Sequence, residues 1–274
     1  MQSILQIYDL ATDRATVLAT FNGCYEAPNW MPSDDALLVN GNGRLYRVPL
    51  DDPHLALVDT GAAAKLNNDH GISPDGKTLY LSDKVETGKS CIYRMAYPNG
   101  KPERITQNVP SYWHGVSPTG DAITYAGFRG GTCQIHIADP ATGEEHILTN
   151  GFTHCDGPDF SADGEWIWFN GEKDGHVDLW RMTRTGDALE KMTQDNTVNW
   201  FPHPDPAGAY VLYLAYRSGT QGHPANLPVT LRLMPANGGP ARDLLHIFGG
   251  QGSLNVPNWS PDAKRFAFFS YKLT

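Results

Sequence analysis

The chain has 274 residues, 40% of them hydrophobic and 19% charged, with a formal net charge of −9. This length holds one large all-β domain or two small ones, and it buries enough surface to fold without disulfides or a metal. An acidic balance with no lysine or arginine run excludes general nucleic-acid binding and a polybasic membrane anchor, because both need clustered positive charge. No stretch is apolar enough for a membrane-inserted helix.

The first predicted strand is Ile4-Leu-Gln-Ile-Tyr8, then a turn at Ala11-Thr-Asp13 and a strand at Thr16-Val-Leu18. This opening segment has no basic region ahead of its apolar residues, and Gln6 and Asp9 break the apolar run. It does not read as a secretory signal, so a cytoplasmic location is expected. A periplasmic location would require a signal peptide removed ahead of Met1. Next comes Trp30-Met-Pro-Ser-Asp34 and a strand at Ala36–Val39. The pattern returns as Ile72-Ser-Pro-Asp-Gly76 before Thr78–Leu81, and as Val116-Ser-Pro-Thr-Gly120 before Ala122–Tyr125. It returns again as Phe160-Ser-Ala-Asp-Gly164 before Trp166–Phe169, and as Pro202-His-Pro-Asp-Pro206 before Ala209–Tyr213. The last copy is Trp259-Ser-Pro-Asp-Ala263 before Arg265–Phe269. Successive copies lie 42, 44, 44, 42 and 57 residues apart.

Between copies a third strand, a Gly-containing turn and a short fourth strand recur, the first and second strands flanking the repeated turn. Cys91–Met95, Pro98-Asn-Gly100 and Ile105-Thr106 are one example. Four short strands per repeat, with no helical periodicity, predict a β-propeller. The expected fold is all-β and six-bladed, with four antiparallel strands per blade. A single domain over 1–274 is expected, with the N-terminal strands completing the last blade and pairing both sheet edges. Cys24, Cys91, Cys133 and Cys155 form no C-x-x-C and read as free thiols of a reducing compartment.

The Ser-Pro-Asp-Gly turns, each after an aromatic or aliphatic residue, resemble the repeats of TolB-type propellers over nearly the whole chain. TolB itself is periplasmic, carries an additional N-terminal α/β domain, and binds the Pal lipoprotein and other Tol proteins. The resemblance extends more distantly to oligogalacturonate lyases, which hold a divalent cation through histidines and a glutamine near the propeller centre.

In an up-and-down blade the Ser-Pro-Asp-Gly hairpins share one face. The connections between blades share the opposite face with the second-to-third-strand loops. The turn aspartates read as turn formers rather than calcium ligands. Candidate ligand-binding residues on the opposite face are Glu26, His70, His114, Arg129, His154, Asp156, Trp200, Arg217, Gln221, His223 and Asn255. Arg217, Gln221 and His223 belong to the long polar loop that makes the fifth interval 57 residues. Imidazole and carboxylate suit a metal, so His70, His114 and His154 are candidate ligands for a divalent ion, Mn or Ca. The competing reading is structural: Asn and Asp cap strand ends at the axis while His packs against neighbours.

No G-x-S-x-G, H-E-x-x-H, P-loop or zinc-finger spacing is present. The expected function is therefore a non-catalytic platform, acting as a monomer, for a protein partner or a small polar or carbohydrate ligand. The alternative, by analogy with the lyases, is a metal-assisted carbohydrate-active enzyme. In it Arg129 or Arg217 would clamp a carboxylate, a histidine would act as base, and Trp113 and Trp200 would stack on a sugar.

Overall fold

The computed structural model describes residues 1–273. β1 (Gln2–Asp9) and β2 (Arg14–Asn22) form a hairpin. β3 (Tyr25–Trp30), β4 (Ala36–Gly41), β5 (Arg44–Pro49) and β6 (Ala56–Leu57) make an antiparallel sheet in that order. β7 (Leu66–Ile72), β8 (Thr78–Asp83), β9 (Cys91–Ala96) and β10 (Glu103–Arg104) make the next. β11 (Ser111–Val116), β12 (Ile123–Arg129), β13 (Thr132–Ala138) and β14 (Glu145–Ile147) share one eight-stranded sheet with β15 (His154–Phe160), β16 (Trp166–Lys173), β17 (His176–Thr183) and β18 (Glu190–Lys191). β19 (Val198–Pro204), β20 (Tyr210–Tyr216), β21 (Leu227–Pro235) and β22 (Arg242–Gly249) form a further four-stranded sheet. A short helix, α1 (Gln251–Leu254), follows, and β23 (Arg265–Lys272) pairs with β1 from Gln2↔Lys272 to Asp9↔Arg265.

The architecture is an all-β propeller, but six separate four-stranded blades are not what the pairing gives. Among the described residues there are four sheets of four or more strands and one three-stranded closing sheet, β2-β1-β23. Two local causes account for the difference. β14 covers only His136–Ala138 of β13, which leaves the start of β13 open, and a parallel bridge between Cys133 and His154 joins the two halves of the eight-stranded sheet. At the closure, the segment expected to supply a fourth strand instead forms α1 and an extended run through Pro257. Its one bridge to β23 is Trp259↔Phe266. Proline brings no N–H to a ladder, and Gly250 at φ 139 turns the chain into the helix.

The repeated turn explains its own sequence. Ser73 Oγ donates to Asp75 Oδ1 (2.6 Å) and accepts from the Thr78 amide (2.9 Å), while Gly76 takes φ 72. Ser161 with Asp163 and Ser260 with Asp262 repeat this arrangement. Ser73→Ala removes both bonds and is expected to cost about 1 kcal/mol, read as a lower thermal midpoint.

β3, β7, β11, β15 and β19 lie against one another in turn, and α1 and β23 come back to β3, so the ring is closed. Each of these five inner strands carries a bulge: at Glu26/Asn29, Leu66/His70, Trp113/Gly115, Asp156/Asp159 and Trp200/His203. A bulge re-aims side chains beside it, and here the shifts fall on the candidate site residues.

Candidate functional site

Asp156 lies at the centre of the polar end of the ring. Its Oδ1 is 2.9 Å from His114 Nε2, and its Oδ2 is 3.8 Å from His154 Nε2 and 3.5 Å from His223 Nε2. β11 supplies His114, β15 supplies His154 and Asp156, and the loop after β20 supplies His223. His114 Nδ1 faces the Asn255 carbonyl at 3.2 Å, so both of its nitrogens meet acceptors. Asn255 in turn donates to Asp69 Oδ1 (3.0 Å), and Asn67 donates to Asp69 Oδ2 (2.6 Å). A polar chain thus crosses the axis from Asp69 through Asn255 and His114 to Asp156.

The electrostatics follow from this geometry. Burial works against the charged form of Asp156, but the hydrogen bond from His114 and the charge of the nearby imidazoles His114, His154 and His223 hold it well below the usual carboxylate range. Burial likewise pushes His114 down, yet the Asp156 and Asp69 carboxylates outweigh it and leave His114 raised. His154 is also raised, because Asp156 and Glu172 outweigh its burial. His223 is lowered, chiefly by burial. Burial lifts Asp69 to about 7, and Glu26, beside Cys24 and Gly252, is raised for the same reason.

Aromatic rings enclose the cluster. Phe201 stacks on His114 at 6.1 Å and meets His223 edge-on at 5.3 Å. It does so from φ 56, a left-handed backbone that a bulky residue adopts only when its surroundings impose it. Trp200 packs against His223 at 4.5 Å and His154 at 5.9 Å, and its indole N–H is buried without a partner. Phe128 meets His154 at 5.9 Å and Tyr112 at 6.2 Å.

Tyr112 and Phe128 also wall a groove of about 420 Å³ on the same face, lined by Asn67, Ser90 and the lysines Lys65, Lys84 and Lys89. Among the described residues the lysines in ion pairs are Lys77 and Lys191, so the ammonium groups of the three groove lysines make no ion pair. Sequence reasoning passed over these lysines. The available signal was the polar loop 84–90, which joins second to third strand as the 217–226 loop does. The opposite mouth differs in character. A cavity of about 350 Å³ there is walled by Trp30, Phe160, Trp259 and the turn prolines Pro74, Pro118 and Pro261.

Several expected roles change. His70 does not join His114 and His154: its Nε2 faces the Leu38 carbonyl at 3.4 Å, and burial lowers it to about 4. It is a neutral core histidine. Its ring-proton NMR shift is expected to change little from about pH 8 to pH 5. His114 is committed to Asp156 and Asn255. The group that gathers ligand atoms is instead His154, Asp156 and His223, all within 4.8 Å of one another. Two imidazoles and one carboxylate suit a transition metal, whereas calcium takes six to eight oxygens. Arg129 is engaged within the fold: it braces the Pro110 carbonyl (2.8 Å), Ser111 Oγ (2.9 Å) and Glu145 (3.6 Å). Trp113 is 0% exposed and stacks on Tyr80, and Trp200 is 2% exposed, so neither offers a face to a sugar. Arg217 and Gln221 stand exposed on the 217–226 loop. Asn29, Asn199 and Asn258 bond to backbone or to neighbouring side chains, as strand-end caps do.

The model of the TolB beta propeller domain matches residues 1–156. The chain belongs to the TolB β-propeller family. An uncharacterised protein of Agrobacterium fabrum is 44% identical over 99% of this TolB-family chain and 93% of its own length. A solved structure from Agrobacterium tumefaciens, described as a candidate TolB, is also 44% identical, with a TM-score of 0.98 over 100% of this chain and 99% of that one. TolB from Acinetobacter baumannii is 19% identical with a TM-score of 0.71, over 91% of this chain and 64% of that one. An oligogalacturonate lyase in complex with manganese is 14% identical with a TM-score of 0.56, over 89% and 67%. These last two likenesses are of fold. Among the described residues, no helix of this TolB-family chain is long and apolar enough to cross a membrane.

Proposed function

We propose that this TolB-family propeller is a non-catalytic binding platform, working as a monomer and a single domain, that takes a small anionic carbohydrate-like ligand on its polar face. The observation that carries the reading is the groove of Lys65, Lys84 and Lys89 with Tyr112 and Phe128. Three unpaired cations grouped on a chain of net charge −9 keep a local positive field where the rest of the surface repels anions. The aromatic walls and the amide and hydroxyl groups of Asn67 and Ser90 suit a hydroxylated ring beside a carboxylate. Arg217, exposed on the same face, is a further cation for a longer ligand.

Calorimetric titration with galacturonate and its short oligomers tests the reading. Saturable binding is expected, weakening as salt rises and falling about tenfold or more in a Lys84→Ala/Lys89→Ala double variant. No binding, or binding indifferent to that variant, would defeat it. Capture of a protein through the same lysines would instead make an acidic protein surface the partner.

A second reading, a metal-assisted lyase, is favoured by one contact. Phe128 both lines the groove and packs edge-on against His154, so a shift of that one ring would bring the imidazole toward a ligand bound there. An ultraviolet assay for unsaturated uronate, run with added divalent metal, decides it. Absence of product across substrates and metals leaves the platform alone.

A further inference from the structure

We infer that His154 Nε2, His223 Nε2 and Asp156 Oδ2 form a binding site for one divalent first-row transition-metal ion, with a fourth position open toward the polar face. Three observations carry this, and none depends on the anion groove. The first is the separations. His154 and His223 stand 3.8 Å and 3.5 Å from Asp156 Oδ2. The longer is no hydrogen bond and the shorter is at the limit of one. Two donors each bonded at about 2.0–2.2 Å to one tetrahedral ion sit roughly 3.3–3.6 Å apart, so both distances to the carboxylate are close to that spacing, and the imidazole nitrogens, within 4.8 Å of each other, close inward to seat the ion.

The second observation is the orphaned nitrogen. His154 Nε2 is buried and has no hydrogen-bond partner. A buried polar atom without a partner is costly, and a ligand at that point removes the cost. The third is the support around the set. His114 holds the other carboxylate oxygen, Oδ1, at 2.9 Å, which fixes Asp156 in the manner of an outer-shell partner. Trp200, Phe201 and Phe128 pack the imidazoles from the sides. His154 and His223 keep 26% and 25% of their side chains exposed, so solvent has a route to the open position. Two nitrogens and one carboxylate, with one position left for water or ligand, favour zinc, cobalt or manganese over calcium.

The test uses the full chain, purified without a histidine tag and stripped with chelator. Co²⁺ is added and followed by its visible absorption, and Zn²⁺ by calorimetry. One equivalent is expected to bind, with the band typical of a four-coordinate ion. His223→Ala loses a ring that packs on Trp200 and Phe201 but should still melt cooperatively, while losing about tenfold to a hundredfold in affinity. His146→Ala, which removes a surface histidine paired with Glu144, should bind as wild type. A His154→Gln variant repeats the test from the strand side. Absence of a band and of heat in the wild type, or unchanged affinity in both His223→Ala and His154→Gln, overturns the site. Galacturonate binding that survives metal removal would leave the proposed platform standing even then, and metal binding without it would do the reverse.

Discussion

Trp113→Ala is expected to lower stability by about 3–5 kcal/mol, because the side chain is fully buried and a large cavity would remain. Trp113 stands between two sheets, stacked on Tyr80 of β8 with centroids 5.8 Å apart and planes 6° from parallel. The neighbouring inner strand makes room for it with Gly71, where a Cβ would overlap the indole ring. The same contact can therefore be disturbed from the other side. Gly71→Ala overpacks the pair and should cost about 1–3 kcal/mol. Placing Trp113→Phe in the Gly71→Ala chain should recover part of that loss, since the smaller ring vacates the space. Chemical denaturation of the four proteins measures the coupling. Strict additivity would show that the glycine and the tryptophan are not fitted to each other.

The second large effect is at Asp156. Asp156→Asn keeps the shape but leaves His114 facing a neutral amide in a buried site, and about 3–5 kcal/mol of destabilisation is expected. The loss should depend on pH. His114 is raised in the folded protein, so its stabilisation is complete below its unfolded value near 6.5 and fades as pH rises through its folded value. Asp156 is depressed, so its stabilisation is present above about 3.8 and fades only as pH falls through its folded value. Both hold between those limits. The gap between wild type and variant should be widest from about pH 4 to 6.5 and narrow above, as thermal melts at a series of pH values will report. A gap that does not vary with pH would mean that His114 is neutral in the fold.

The sequence carries the strand pattern well because each repeat turn is chemically self-contained. Ser73, Asp75 and Gly76 specify their hairpin with no help from distant residues. Blade count was less legible, because it depends on long-range pairing. Nothing near Cys133 or His154 marks the bridge that fuses two sheets, and nothing near Trp259 marks a strand reduced to one bridge. The site followed the same division. Periodicity placed His114, His154 and Asp156 on one face. It also placed His70 there, but the bulge between Leu66 and His70 accompanies a ring turned toward the Leu38 carbonyl. His223 was legible only as part of a long polar loop, and its approach to Asp156 is a tertiary fact. The contacts of Arg129 with the Pro110 carbonyl, Ser111 and Glu145 were not legible either, because they are set by the packing of loop against strand.

The pairing of β1 with β23 also bears on the order of assembly. β1 pairs on one side with β2 as soon as that hairpin is made, but its other edge waits for β23, from Gln2↔Lys272 to Asp9↔Arg265. Until then β1 offers an unpaired edge to any other extended chain, and the ring stands open where α1 and β23 later meet β3. Contacts this distant in sequence are slow to form. Synthesis of this propeller therefore leaves an interval in which its first strand can add to a second nascent copy, and shielding that strand matters most before the ring has closed.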